Sequence, residues 1–130
     1  MPVRPLSPHL SVYKLKYTML TSGLNRITGM GLSVGLVLLV YWLVAVAGGA
    51  QSHARAARVL SHPLMKLVYA GFIVAACYHL VAGIRHLVWD TGRGLERTQS
   101  ERSAWVVAVV SIVLMLLVGY GAWLAMTRTP

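Results

Sequence analysis

Three long runs of apolar residues dominate the chain, and short polar segments separate them. The first run has no charged residue from Ile27 to Ser52, and the third has none over residues 104–127. The hydrocarbon core of a bilayer needs about 20 apolar residues per helix. The pattern therefore predicts an all-α integral membrane protein, with one three-helix domain over residues 17–127 and polar connections at 49–62 and 90–102. The transmembrane helices are expected at about 20–48, 63–89 and 104–127.

The first 16 residues differ from the rest of the chain. They are polar and carry prolines at positions 2, 5 and 8. Proline removes a backbone donor and restricts the preceding residue, so this segment cannot form one continuous helix. It also lacks the apolar core of a signal peptide and the Arg-rich amphipathic pattern of an organelle presequence. We predict an N-terminal surface arm over residues 1–16.

Composition narrows the class of protein. With 57% hydrophobic and 12% charged residues, the chain is too apolar for a water-soluble domain of 130 residues. The net charge of +9 resembles that of a nucleic-acid-binding protein, but the basic residues flank apolar spans, as in membrane proteins. We therefore expect membrane lipid around the chain and no nucleic-acid partner. The single cysteine, Cys77, excludes an internal disulfide and any site built from several cysteines of this chain.

The basic residues also predict an orientation, because cytoplasmic segments of membrane proteins are enriched in lysine and arginine. Three spans place the two termini on opposite sides. The excess of basic residues favours the N-terminus inside and the C-terminus outside. The inner side would carry Arg4, Lys14, Lys16, Arg93, Arg97 and Arg102, and the outer side Arg55, Arg58 and Arg128.

His79 lies inside the second predicted span, with no charged residue within five positions on either side. An ionisable side chain at this depth is costly, which makes it a candidate functional residue. Its neighbours one turn away are Ala75, Ala76, Ala82 and Gly83, which leave room for a flat ligand, and neutral imidazole is an axial ligand of haem iron. A histidine that only hydrogen-bonds a neighbouring helix is the alternative. These residues alone leave both interpretations open.

Two further polar positions follow on the same predicted helix. His86 is seven residues after His79 and therefore shares its face, about 10 Å away along the axis. A haem held by His79 would need a cation or a hydrogen-bond donor for its propionates. Arg85 and His86, at the polar end of the span, are the candidates.

Ser22 and Arg26 stand four residues apart near the start of the first predicted helix, so they share one face. A hydroxyl and a guanidinium that converge at the membrane edge suit the carbonyl of a quinone, whose reduced forms develop negative charge. Arg26 could instead extend to the lipid headgroups without any bound ligand.

Taken together, three segments resemble the cytochrome b membrane-anchor subunit of succinate dehydrogenase. They are residues 4–10 (RPLSPHL), 22–29 (SGLNRITG) and 79–87 (HLVAGIRHL) followed by Asp90. The resemblance covers the whole chain. It implies that His79 is one axial ligand of a haem b, that a second membrane-anchor subunit supplies the other, and that Arg26 and His86 lie on the propionate side. It also implies that Ser22 and Arg26 face the quinone site, for ubiquinone or menaquinone.

The same resemblance implies a bacterial inner (cytoplasmic) membrane and partners in a flavoprotein subunit and an iron–sulphur subunit. The chain carries no dinucleotide-binding motif and too few cysteines for a cluster, so it would not catalyse succinate oxidation alone. One departure concerns Asn25, where the family usually has histidine. Asparagine donates a hydrogen bond but does not titrate, which argues against proton exchange at that position. The alternatives are a haem-free structural anchor and a small proton relay or transporter component, although no internal repeat supports a transporter.

Overall fold

The structure, a computed structural model, describes residues 16–128. It contains four α-helices: α1 (Tyr17–Ala47), α2 (Ala50–Leu60), α3 (Pro63–Asp90) and α4 (Arg97–Arg128). Helices α1, α3 and α4 are long and apolar enough to cross a membrane. The prediction of an all-α integral membrane protein with three transmembrane helices is therefore confirmed. The surface arm predicted for residues 1–16 lies, as far as residue 15, outside the described residues.

The bundle exposes its large apolar side chains and buries small ones. Met30, Val37 and Leu116 are 71%, 67% and 68% exposed. Lipid offers no hydrophobic gain for helix association, so membrane helices associate through close packing of small residues. The large side chains on the outside match a lipid environment. The buried apolar positions are Ala45, Ala56, Cys77, Ala82, Ala104 and Val107.

The expected polar connection at 49–62 is mostly helical. After α1, Gly49 reverses the chain with a φ of 85°, a conformation that glycine adopts without the steric cost of a side chain. Helix α2 then begins at Ala50, and alanine, arginine and glutamine make up most of its eleven residues. These residues have high helix propensity, which explains why this segment is helical although it is too polar to cross the membrane. Its Ala56 is buried and marks the face that packs on the bundle.

Helix α4 begins at Arg97, well before the expected start at Ala104. Its first turns are polar and include an ion pair between Arg97 Nε and Glu101 Oε1 at 3.2 Å, one helical turn apart. Hydropathy marks where a helix enters lipid, whereas polar residues of good helix propensity continue the helix into water. The turn before α4 contains Gly92 and Gly94, both with positive φ.

The beginning of α1, the end of α3 and the beginning of α4 meet at one end of the bundle. The ring of Tyr17 in α1 stacks on that of Trp105 in α4, with centroids 4.9 Å apart. Nearby, the Tyr78 hydroxyl of α3 donates to the carbonyl of Thr21 at 2.8 Å. The polar candidate residues near the start of α1 and near the end of α3 thus lie on neighbouring helices. The sequence predicted that they lie at the same membrane surface.

Candidate functional site

The imidazole of His79 lies against the backbone of α1. Its Nδ1 is 3.0 Å from the carbonyl oxygen of Asn25 and 3.4 Å from Oγ1 of Thr28. The Thr28 hydroxyl donates its own proton to the carbonyl of Leu24 at 2.8 Å, so both groups that face Nδ1 act as acceptors. In neutral imidazole Nδ1 therefore carries the proton, and Nε2 keeps the lone pair that a metal requires.

A glycine in α1 makes this contact possible. A Cβ atom on Gly29 would lie 2.9 Å from Cε1 and 3.5 Å from Nδ1 of His79, closer than carbon atoms normally approach. The ring therefore rests on bare backbone. Gly35 accepts the ring of Phe72 in a similar way, with a Cβ distance of 3.1 Å. The sequence directed attention to small residues around His79 on its own helix, but the residue that contacts the imidazole is Gly29.

Among residues 16–128, part of the α3 surface next to His79 is open, whereas Ala82 is buried in the bundle. A Cβ on Gly83, one turn away, would meet no atom within 4 Å. Ala76, on the preceding turn, is exposed, and His79 itself is partly exposed. The imidazole is thus held by α1 through one nitrogen while small residues leave room beside it. This arrangement fits a flat ligand better than a histidine enclosed by helix packing.

Ser22 and Arg26 lie on α1 close to the imidazole contact. Arg26 directly follows Asn25, whose carbonyl faces His79, and Ser22 lies one turn earlier. Arg26 is exposed and Ser22 partly exposed. Within residues 16–128, neither side chain forms a hydrogen bond to another group of the chain. Both remain available to an external ligand.

His86 is two turns further along α3 and contacts a different group. Its ring meets that of Trp89 edge-on, with centroids 5.1 Å apart and planes at 89°. The structure therefore does not bring His86 into contact with His79. A position nearer the polar end of α3 agrees with the sequence-based distinction between these two histidines.

Arg85 occupies a place that the sequence did not predict. Its guanidinium was a candidate for haem propionates, but it is only 7% exposed and points toward α4 and α1. Nε donates to Ser103 Oγ at 2.9 Å, one terminal nitrogen donates to Thr21 Oγ1 at 3.1 Å, and the other to the carbonyl of Ser100 at 2.8 Å. The group also lies 4.0 Å from the ring centroid of Trp89. Arg85 joins three helices, and these contacts engage its guanidinium within the chain.

Two of the three hydroxyls around Arg85 are oriented as acceptors by bonds of their own. Thr21 donates its own proton to the carbonyl of Thr18, and Ser103 donates to that of Ser100. Their lone pairs are therefore free to accept from the guanidinium. This three-helix contact, formed by Arg85, Thr21, Ser100 and Ser103, is called the arginine clamp below. Its sequence signature is hydroxyl residues at the polar ends of two spans, opposite an arginine on the third.

Asn25 contributes to the site through two different groups. Its backbone carbonyl accepts from His79, and this bond does not depend on the identity of the side chain. Its side-chain Oδ1 is buried and has no hydrogen-bond partner among residues 16–128. A buried carbonyl oxygen without a donor is costly, which identifies this position as one where a bound donor or water would stabilise the protein.

The donor set of the site is a single imidazole. Over residues 16–128, no three His, Cys, Asp or Glu side chains converge in a way that could hold a metal ion. A bare metal ion bound by this chain would need more ligands than His79 offers. Iron already held by a porphyrin needs only axial ligands, so the donor set fits haem.

Comparison with known proteins identifies the family. Residues 2–118 match the family described as succinate dehydrogenase/fumarate reductase transmembrane subunit. The chain belongs to this family. It is 43% identical over 114 residues to the succinate dehydrogenase cytochrome b556 subunit of Paracoccus denitrificans, covering 88% of each chain. It is 38% identical to the subunit of the same name from Rickettsia typhi, covering 88% of this chain and 89% of that one.

A mitochondrial relative extends the similarity. The succinate dehydrogenase cytochrome b560 subunit of Bos taurus is 36% identical over 121 residues, which cover 92% of this chain and 70% of that protein. The family resemblance inferred from the three sequence motifs is therefore confirmed. The matched range of this transmembrane subunit includes all of α1, α2 and α3, and with them Ser22, Arg26, His79 and His86.

Proposed function

We propose that this chain is the haem b-binding membrane-anchor subunit of a succinate dehydrogenase in a bacterial inner membrane. In this role it anchors a flavoprotein subunit and an iron–sulphur subunit and contributes to the quinone-reduction site. The observation that carries the proposal is the Nδ1 contact of His79 with the Asn25 carbonyl, which leaves Nε2 free beside an open surface. The cytochrome b names of the bacterial relatives support the same conclusion.

His79 would hold the haem iron from this chain, through Nε2. The hydrogen bond from Nδ1 to a backbone carbonyl fixes the tautomer and orients the ring, as is usual for metal-bound histidine. Since the site offers one imidazole, a second membrane-anchor subunit supplies the other axial ligand. Arg26 and His86 neutralise and hydrogen-bond the propionates. Haem b supplies one-electron redox chemistry when it is bound.

Ser22 and Arg26 bind the quinone, either ubiquinone or menaquinone. The Ser22 hydroxyl donates to a quinone carbonyl, and the Arg26 guanidinium stabilises the negative charge that develops on the oxygen during reduction. Neither side chain forms a hydrogen bond to another of the described residues, so binding a quinone breaks none of those bonds. With the N-terminus inside, these groups lie at the cytoplasmic face, where electrons arrive from the docked iron–sulphur subunit.

The haem assignment is tested with His79→Ala and His86→Ala in the purified complex. We expect His79→Ala to abolish the bis-imidazole signal in electron paramagnetic resonance, because the iron loses one of two nitrogen ligands. His86→Ala should shift the spectrum only slightly. An unchanged bis-imidazole signal in His79→Ala would reject the assignment. Absence of a haem band from the wild-type reduced-minus-oxidised spectrum would instead support a haem-free anchor.

The quinone assignment is tested with Ser22→Ala, which should impair quinone reduction while succinate oxidation by an artificial dye continues. Loss of one hydrogen bond to a charged quinone oxygen costs on the order of 1.5–3 kcal/mol, roughly ten- to a hundred-fold in binding. Ser33→Ala is the matched control, because Ser33 is on the same helix and bonds only the Gly29 carbonyl. Equal quinone turnover in the two variants would place the site elsewhere. Arg26→Leu should also impair quinone reduction, although it can loosen haem.

A further inference from the structure

An apolar groove lies where α1, α2 and α3 meet, toward the end of the bundle opposite the arginine clamp. Its volume is about 390 Å³. Its floor is the contact of Gly35 with the ring of Phe72, and Leu60 closes it at the end of α2. The Tyr69 hydroxyl, on the groove wall, donates to the Leu60 carbonyl at 2.9 Å and so fixes the end of α2 on α3. Leu38, Leu39 and Trp42 complete the lining.

A cationic depression borders the same turn of α2. It is lined by Arg55, Arg58, Val59 and His62. Arg55 and Arg58 are three residues apart and share a helix face, and both are exposed. Val59 lines the depression and the next residue, Leu60, lines the groove, so one turn of α2 forms part of both.

Most donors of this depression have no hydrogen-bond partner among the described residues. Arg55 uses one nitrogen, Nε, in a long contact of 3.4 Å with the Gln51 carbonyl, and the rest of its guanidinium is free. In His62, Nδ1 accepts from the Leu64 backbone N–H at 3.3 Å. The neutral ring therefore carries its proton on Nε2, which is a further donor.

The chain provides no carboxylate side chain to neutralise this cluster. Its three acidic residues are Asp90, Glu96 and Glu101, which all lie at the opposite end of the bundle. Arg55 and Arg58 thus form a cationic pair at the membrane surface with no acidic side chain beside it. Anionic groups bind such pairs through charge-assisted hydrogen bonds.

We propose that this end of the bundle binds an anionic glycerophospholipid. Its phosphate accepts hydrogen bonds from Arg55, Arg58 and His62, and one acyl chain occupies the groove. Charge complementarity selects the headgroup, and the adjoining apolar groove selects a lipid over a free phosphate, which would leave the groove uncovered. Helix α2 connects two membrane-spanning helices, so it lies at the level where headgroups and acyl chains meet. The proposal holds for either orientation of the chain.

The test uses the full-length chain purified in mild detergent with the subunits that it retains. Binding of dioleoyl phosphatidylglycerol and of dioleoyl phosphatidylcholine is compared by native mass spectrometry, with inorganic phosphate as competitor. We expect preference for phosphatidylglycerol, and the Arg55→Gln/Arg58→Gln double variant should bind it roughly ten- to thirty-fold more weakly. Arg128→Gln is the control for loss of charge elsewhere on the chain. An unchanged haem spectrum verifies that each variant is folded.

A second variant, Leu39→Trp, fills the groove without changing charge. It should weaken phosphatidylglycerol binding while leaving the cationic depression intact. Equal affinity of the wild type for the two lipids would overturn the proposal. Complete competition by inorganic phosphate, with no effect of Leu39→Trp, would show a free-phosphate site instead. Loss of a protein subunit on Leu39→Trp, with lipid binding unchanged, would show that a protein covers the groove.

Discussion

Gly29→Ala is the most informative single substitution in this chain. It adds one methyl group 2.9 Å from Cε1 of His79, whereas carbon atoms in contact normally lie about 3.5–4.0 Å apart. The ring must therefore move away by roughly 0.6–1 Å. It cannot move freely, because its Nδ1 is held at 3.0 Å by the Asn25 carbonyl. A displacement of that size lengthens the bond beyond the range of a hydrogen bond.

The expected change in the free energy of unfolding of Gly29→Ala has three contributions. Overpacking a tight contact costs about 1–3 kcal/mol, and loss of the hydrogen bond adds about 1 kcal/mol. Alanine has a higher helix propensity than glycine, and this difference stabilises the variant by up to about 1 kcal/mol. We expect a net destabilisation of roughly 1–3 kcal/mol, together with a reoriented imidazole. The low-spin haem spectrum should weaken or shift even though the ligand itself is unchanged.

Gly31→Ala is the matched control for this experiment. It lies on the same helix, but a Cβ there would meet no atom within 4 Å. It should therefore keep or slightly raise stability and leave the haem spectrum as in the wild type. Both variants are compared by thermal unfolding in detergent and by reduced-minus-oxidised spectra. If Gly29→Ala and Gly31→Ala behave alike in both measurements, the close contact between His79 and α1 does not exist in the protein.

Three further predictions concern other parts of the bundle. Arg85→Leu removes the guanidinium that joins three helices and should destabilise the protein by roughly 2 kcal/mol or more, which lowers the unfolding temperature in detergent. Unchanged stability would show that the arginine clamp does not hold the fold together. Ser103→Ala should destabilise the protein, whereas Ser111→Ala, which removes a buried hydroxyl without a hydrogen-bond partner among residues 16–128, should be neutral or stabilising; the reverse order in thermal unfolding would contradict this. A reporter fused after Pro130 should be active only outside the cytoplasm, and a cytoplasmic signal there would reverse the proposed orientation.

The three spans could be predicted from the sequence because lipid imposes a requirement on every residue of a spanning helix. That requirement applies only within the membrane. The sequence therefore did not predict correctly the helix boundaries that lie beyond the membrane surface. Helix α2 and the first turns of α4 are polar, and only helix propensity and local pairs such as Arg97–Glu101 specify them. The orientation of the termini stays a prediction.

The sequence predicts those parts of the candidate site in which a polar side chain lies at an unusual depth in an apolar span. It does not predict the parts that depend on contacts between helices. His79 is conspicuous because an ionisable residue in an apolar span is costly. Gly29 is one glycine among twelve, and its place at the end of the motif at 22–29 does not show that it contacts His79. Arg85 seemed equivalent to His86 as a propionate partner, since sequence spacing does not show which neighbouring helix a long side chain reaches.

The arginine clamp has a consequence for how the bundle is built during synthesis. Arg85 belongs to α3, but Ser100 and Ser103 belong to α4, which follows α3 in the chain and leaves the ribosome later. Before α4 inserts, the guanidinium has Thr21 and the ring of Trp89 as partners among the described residues, and it can stay hydrated by reaching the nearby headgroups from the polar end of α3. Arrival of α4 supplies the missing acceptors and allows the charge to leave water. We therefore expect Arg85 to reach its full set of acceptors only after α4 has inserted beside α1 and α3.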